Sequence, residues 1–466
     1  MNLLLVLIFF FCQSAISSVS PSVGKTIDSM LKKENPHLMV GIEIRDLPSG
    51  KIIYEKNANS LIKPASLQKI SSGLVALLQL GPHYRFKTSL FEKEGVAYLD
   101  FSGDPTLSLG DIERLFHLFK KKKGEHISKN IIVYEKNVPL FFHGEGWSVE
   151  STRFLYGAPI SVMNINKNSV CFRVVPSKVK NQKPVIIYDK GQPFYPIQNS
   201  ASSSQCSDST HMERSDLSFE KKISVKGCVP YKTKSFKVCL PVKEHHFKEY
   251  IRKCIHTALK NSGIQFSGKI IFQRGSQKKT TLIACHQSEP LSEILKEGMK
   301  KSDNTIMESL MIPAKIKNPS QFRKASGFEK YVIDVLEKGL GVDLSKARLT
   351  DGSGLSHHSL ISPRHLAMLL LEALRHKVWG GIWLRSMSIG GKDGTLEFRL
   401  KDLPKNIKVF AKTGTLTGTN NLAGYILKNE KPRYLFVIMM QNFSESPDNY
   451  KALQGRIIRY LSHLVS

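Results

Sequence analysis

Three short clusters along the chain carry residue types that can break an amide. The first is Ser66-Leu67-Gln68-Lys69. On a helix, residues three apart share a face, so Lys69 stands one turn from Ser66 with its amine within reach of the hydroxyl. A serine hydroxyl is a weak nucleophile until a base takes its proton. A lysine serves as that base once burial or a second cation lowers its pKa. The second cluster is Ser302-Asp303-Asn304. Its hydroxyl can relay a proton to a leaving amine, and its Asn amide can hold the lysine and donate to a substrate carbonyl. The third is Lys412-Thr413-Gly414-Thr415, where a cation can hold a carboxylate and a glycine lets a substrate backbone approach the strand edge. A backbone N–H on that edge, with the N–H of Ser66, would make an oxyanion hole. Alone, each cluster has a plain structural reading: a solvated helix lysine, a helix cap, a strand end. In this order, on helix, loop and strand, they are together a strong signal for catalysis by an activated serine.

The flanking patterns supply those elements. Residues 40–46 and 51–55 alternate apolar and polar around Pro48-Ser49-Gly50, which predicts a β-hairpin. Lys63-Pro64-Ala65 starts a helix whose buried stripe is Leu67, Ile70, Leu74, Leu77 and Leu78. From Lys87 the texture changes to short strands at 96–101, 131–134, 169–175, 184–188 and within 223–242, with an exposed polar loop at 199–218. Helices are expected at 247–260, 291–300, 328–338, 363–376 and 448–464, and strands at 409–415, 421–427 and 434–441. The apolar stripe of the last helix reads as core. This divides the chain into 18–86 and 271–466, two parts of one domain, around a mostly β insertion at 87–270 of one or two subdomains.

The 466 residues carry 41% apolar side chains, enough for sizeable cores, and a net charge of +29 from 68 Lys+Arg against 39 Asp+Glu. Such a field attracts anionic lipid or wall polymer by peripheral contact, or is simply a lysine-rich solvated surface. Leu3 to Phe11 is an apolar run too short to span a bilayer, and Ala15 and Ser17 fit small-x-small cleavage. Residues 1–17 are therefore expected to be a signal peptide, although no Lys or Arg precedes the run. Export to the periplasm makes nucleic acid an unexpected partner. After Cys12 is removed, Cys171, Cys206, Cys228, Cys239, Cys254 and Cys285 remain, and six cysteines allow fifteen pairings. Cys228 and Cys239 flank a strand pair, so a local bridge between them is one expectation. No C-x-x-C pair occurs, and neither a metal nor a cofactor is expected.

With the three clusters, further stretches carry a family resemblance. They are Leu80-Gly81-Pro82, Ser102-Gly103-Asp104-Pro105-Thr106-Leu107, Gly146-Trp147, Tyr156-Gly157-Ala158-Pro159-Ile160-Ser161, Asp351-Gly352-Ser353-Gly354-Leu355-Ser356 and Gly394-Thr395-Leu396. The chain resembles the class C low-molecular-mass penicillin-binding proteins, the penicillin-binding protein 4 type of D-Ala-D-Ala carboxypeptidase/endopeptidase. The resemblance implies an α+β fold: a penicillin-binding transpeptidase/β-lactamase-like domain with a five-stranded antiparallel sheet, split by the insertion. It implies Ser66 as nucleophile, Lys69 as base, Ser302 as proton shuttle and Asn304 as positioner of lysine and substrate. Lys412, Thr413 and Thr415, with Gly414 between them, would bind the terminal carboxylate, and the amides of Ser66 and Thr415 would form the oxyanion hole. Asp351 and Ser353 would shape the cleft wall. Peptidoglycan stem peptides would be substrates and β-lactam antibiotics covalent inhibitors. Two positions depart from the family pattern: His357 stands where an arginine is usual, and Glu135 is read where an aspartate is common. Both bear on recognition of the stem-peptide side chain. The rival readings are a serine β-lactamase and a non-catalytic wall-binding protein on the same fold.

Overall fold

The expected hairpin forms as Met39–Asp46 and Ile52–Lys56, paired antiparallel, in a computed structural model of the chain. The structure describes residues 21–465 except 33, 35, 137, 139–141, 189–194, 207–211, 215–222, 276–279 and 325. The expected signal peptide, 1–17, lies outside the described residues. The hairpin is one side of an antiparallel sheet ordered Ser388–Ile389, Ile407–Leu416, Thr419–Lys428, Lys431–Gln441, Met39–Asp46, Ile52–Lys56. The five expected strands are there, and a two-residue strand adds one edge.

The sheet is buried on both faces, because successive strand residues point to opposite sides. In Lys431–Gln441, Leu435, Val437 and Met439 join one core, against the helices Gln68–Leu80, Leu291–Lys300, Ser326–Leu340 and Pro363–Arg375. Phe436, Ile438 and Met440 join the other, against Pro21–Lys32 and Pro447–Val465. Leu453, Ile457 and Leu461 of the closing helix lie in this core, whereas Leu464 is exposed. Among the described residues no helix is long and apolar enough to cross a membrane.

The insertion has its own core. A mixed five-stranded sheet runs Ile270–Arg274, Ile131–Glu135, Val96–Asp100, Lys87–Lys93, Thr281–Gln287. The helices Leu109–Lys123 and Phe247–Asn261 cover it. The first of these was not read from the sequence. Its signal is a capping box: Ser108 Oγ accepts the Asp111 N–H and Asp111 accepts the Ser108 N–H. At its far end Lys120 to Lys123 complement the helix dipole. The boundary expected at 270 falls inside this sheet's strands, since Thr281–Gln287 pairs with Lys87–Lys93. The sheet therefore continues to Gln287.

Part of the polar stretch at 199–218 forms strands instead of a loop, Ile197–Asn199, Ser202–Ser204 and Met212–Arg214, against Ile223–Pro230. The disulfides are Cys171–Cys239 and Cys206–Cys228, so Cys228 and Cys239 are not joined to each other. Register decides this: Cys171 and Cys239 are direct partners across Ser169–Val175 and Phe236–Pro241. Cys254 and Cys285 are free thiols, and burial pushes the Cys254 thiol up to about 12, which keeps it inert.

Candidate active site

Ser66 lies in a single 3-10 turn, Ala65–Leu67, that runs straight into the helix Gln68–Leu80. The turn begins with Ala65 at φ 47°, a left-handed conformation that alanine adopts at a cost. The surroundings hold it there. Asn421 Nδ2 donates to the carbonyls of Lys63 and Pro64, each at 2.9 Å. Gly414 lies against the same turn: a Cβ added to it would stand 2.8 Å from the Pro64 oxygen and 3.2 Å from Ser66 N. This close approach is what the glycine of the third cluster supplies.

Leu67, Ile70, Leu74 and Leu77 anchor the helix in the core and point Lys69 into the space between the helix and the Ser302 loop. Lys69 is fully buried. Its Nζ donates to Ser66 Oγ at 2.9 Å, Asn304 Oδ1 at 2.7 Å and the Ser353 carbonyl at 2.6 Å. The other end of the Asn304 amide donates to the Tyr156 carbonyl at 2.9 Å, which fixes the orientation of the side chain. Burial lowers the Lys69 pKa to about 8, against the opposing charges of Asp351, Glu308 and Asp303.

Ser302 sits at φ 55° where the helix Leu291–Lys300 turns into Asn304–Ser309, and Asp303 caps the latter by accepting the Ile306 N–H. Lys167 pairs with the Asp303 carboxylate at 2.5 Å and thereby ties the insertion to this loop. Lys412 Nζ donates to Ser302 Oγ and to the Thr413 carbonyl, both at 2.8 Å. Lys412 is also fully buried, and burial followed by the charge of Lys69 holds its pKa well below the lysine range. Lys69 thus holds Ser66 and Lys412 holds Ser302, with the two buried lysines near enough for the charge of one to act on the other.

The strand Ile407–Leu416 sorts the third cluster by face. Phe410 belongs to the core beside the nucleophile helix, and Lys412 and Gly414 follow it at a period of two. Thr413 and Thr415 point to the other side: Thr413 Oγ1 donates to Thr395 Oγ1 at 2.9 Å, and Thr415 is exposed. Ser388–Ile389 pairs only with Ala411 and Phe410. Beyond Ala411 no strand among the described residues covers that edge, which leaves room for an extended peptide to pair with it.

The segment 351–356 closes the site behind Lys69. Asp351 accepts N–H from Gly354 and Ser356 and the Trp147 indole N–H at 2.9 Å. Trp147 is therefore a hydrogen-bonding strut as well as packing. Gly354 sits at φ 77°, and an added Cβ would overlap the Ala65 carbonyl oxygen. Gly354→Ala is expected to destabilise the protein by about 3 kcal/mol and to displace Ser66 with it. Thermal unfolding, with penicillin-titratable sites counted alongside, checks both effects.

The two departures from the family pattern have different fates. His357 is half-buried beside the cleft. Its N–H donates to the Gly146 carbonyl at 3.1 Å, and burial, then the charges of Lys63 and His358, push its imidazole pKa down. Glu135 ends the strand Ile131–Glu135, pairs with Lys248 at 2.6 Å and lines a cavity of about 750 Å³ with Lys136 and Arg274, a lining that does not include Ser66 or Lys69. The pairing of that strand inside the insertion's sheet directs its end toward the helix Phe247–Asn261. Sequence reasoning missed Asn421, Ser72 and Glu308, of which only Glu308 left a trace, four residues after Asn304.

Residues 23–462 match the D-Ala-D-Ala carboxypeptidase 3 (S13) family. The chain is 27% identical over 449 residues to the D-alanyl-D-alanine carboxypeptidase DacB of Haemophilus influenzae, covering 91% of this chain and 90% of that protein. It is 24% identical to a D-alanyl-D-alanine carboxypeptidase of Actinomadura sp., over 86% of this chain and 77% of the relative. Among solved structures, penicillin-binding protein 4 of H. influenzae superposes with a TM-score of 0.79 at 24% identity, covering 94% of this chain and 99% of that one. That protein is also known in complex with a β-lactam. A serine–lysine pair backed by a second serine and a second lysine, in a chain matched to one family from residue 23 to residue 462, makes this protein a member of the D-Ala-D-Ala carboxypeptidase 3 (S13) family of serine peptidases.

Proposed function

We propose that the protein hydrolyses D-Ala-D-Ala and D-Ala-diaminopimelate bonds in peptidoglycan stem peptides through an acyl-enzyme on Ser66. The contact that carries this reading is the 2.9 Å hydrogen bond from the buried Lys69 amine to Ser66 Oγ. As a free amine, Lys69 takes the Ser66 proton while Oγ attacks the penultimate D-Ala carbonyl. The N–H groups of Ser66 and Thr415 receive the oxyanion. The proton passes from the Lys69 ammonium through Ser302 to the leaving amine, the C–N bond breaks, and the acyl ester remains on Ser66. A water then attacks the ester and gives a proton to the freed Lys69 amine, which returns it to Ser66 Oγ as the ester C–O bond breaks. Asn304 keeps Lys69 in register throughout.

Lys412 binds the terminal carboxylate, with Thr413 and Thr415 forming the strand edge along which the peptide lies. The two lysines make binding and activation one event. A carboxylate arriving at Lys412 favours its ammonium form, and the positive charge of that ammonium favours loss of the proton from Lys69. His357 lines the path of the stem-peptide side chain. β-Lactams acylate Ser66 as substrate mimics.

The test is intact-protein mass after benzylpenicillin, with D-alanine release from a stem pentapeptide measured in parallel. One penicilloyl adduct and release of D-alanine are expected. Consumed drug without an adduct would point to β-lactamase turnover, and intact drug without an adduct to a wall-binding protein.

Export by residues 1–17 puts the enzyme in the periplasm, and the +29 charge holds it by screened attraction to anionic wall polymer or membrane. Sedimentation with sacculi or membranes is expected to fall steeply between low and high salt. Unchanged sedimentation removes the charge from the argument.

A further inference from the structure

Behind the carbonyl that receives Lys69 lies a carboxylate outside all three clusters. Glu308 stands four residues after Asn304 on the helix Asn304–Ser309, so the two side chains leave the same face. Only 5% of Glu308 is exposed. Its Oε1 accepts two consecutive amides of the turn, Gly352 N at 2.9 Å and Ser353 N at 2.8 Å. From the nucleophile helix, Ser72 Oγ donates to the Gly352 carbonyl at 2.6 Å. The Gly352–Ser353 peptide is therefore gripped at its N–H by Glu308 and at its carbonyl by Ser72, directly before the Ser353 carbonyl that meets Lys69 Nζ at 2.6 Å.

Glu308 borders a cavity of about 240 Å³. The charged or titratable groups lining it with Glu308 are His143, Glu145, Lys315, Lys324 and Asp351. Burial and then the Asp351 charge raise the Glu308 carboxyl to about 7, against Lys315 and the two turn amides, which favour its ionised form. Glu308 and Asp351 in turn oppose the effect of burial on Lys69.

We propose that Glu308 is a positioning residue for acylation: its two hydrogen bonds hold the turn that presents the Ser353 carbonyl to Lys69, and its charge stabilises the Lys69 ammonium. The proposal rests on Lys69 being the base in the reading above. Geometry and charge then separate by substitution. Glu308→Gln keeps an acceptor of the same length and removes the charge. Lys69 then loses its proton more easily, so the rising limb of acylation against pH moves down by about one pH unit. Glu308→Asp keeps the charge but is one methylene too short to hold both amides. Its limb stays in place while the plateau rate falls about tenfold or more.

The experiment is single-turnover acylation by benzylpenicillin from pH 5 to 10 in wild type and both variants, each rate expressed per titratable site. A Glu308→Gln limb coincident with the wild type, or a Glu308→Asp plateau equal to it, overturns the proposal. So does a loss of titratable sites with unchanged profiles in those that remain, because Glu308 would then be structural only. A wild type that forms no adduct at Ser66 overturns the proposed function itself and this inference with it.

Discussion

Ser66→Ala is expected to abolish the penicilloyl mass gain and to reduce D-alanine release by about four to six orders of magnitude. The hydroxyl is the only atom group that the substitution removes, and the rest of the site keeps its partners. Lys69 retains Asn304 Oδ1 and the Ser353 carbonyl, so the buried cation is not stranded. Lys412 keeps Ser302 and the Thr413 carbonyl. The variant should therefore fold with a Tm close to the wild type and still bind stem peptide. A KM-like dissociation constant near the wild-type value, with kcat lost, is the expected split. An adduct that persists in Ser66→Ala would place the nucleophile elsewhere and end the assignment.

The second large effect concerns Lys69. Its free-amine form is the base, and that form predominates above its pKa of about 8. Acylation is therefore expected to rise with pH, reach half its plateau near 8 and level off above it, until Lys412 or the fold itself fails. Lys69→Met removes the base and should lower acylation by about 10²–10⁴ at pH 8.5 while abolishing that limb. Stability gives the control. Lys69→Met leaves Asn304 Oδ1 and the Ser353 carbonyl without their donor, so its Tm is expected to fall. Acylation expressed per folded molecule, measured well below that Tm, separates chemistry from unfolding. A residual rate with the same rising limb would assign the limb to another group.

Several features were legible in the chain because they depend on neighbours in sequence. The spacing of Ser66 and Lys69 needs only a helix, and the strands Ile407–Leu416, Thr419–Lys428 and Lys431–Gln441 follow from apolar runs between turns. The helix Leu109–Lys123 was equally local, yet its capping box lay among strand signals that drew attention away from it.

What the sequence by itself determined is the chemistry and the family: three clusters in order, on elements that their flanking patterns already specify. Only the tertiary structure decided which residues meet. Lys69 and Asn304 are 235 positions apart, and Lys69 and the Ser353 carbonyl are 284 apart. No local pattern encodes such distances. The same holds for the Cys171–Cys239 disulfide, which follows strand register, and for the strand Thr281–Gln287, which belongs to the insertion because it pairs with Lys87–Lys93. Glu135 shows the same: its sheet places it on a cavity with Lys136 and Arg274, beside Lys248 of the helix Phe247–Asn261. Glu308 is the converse, an unremarked carboxylate that burial and two turn amides bring behind the lysine. Side-chain type sets what a group can do, while burial and long-range pairing set its partners and its charge, and these exist only once the chain has folded.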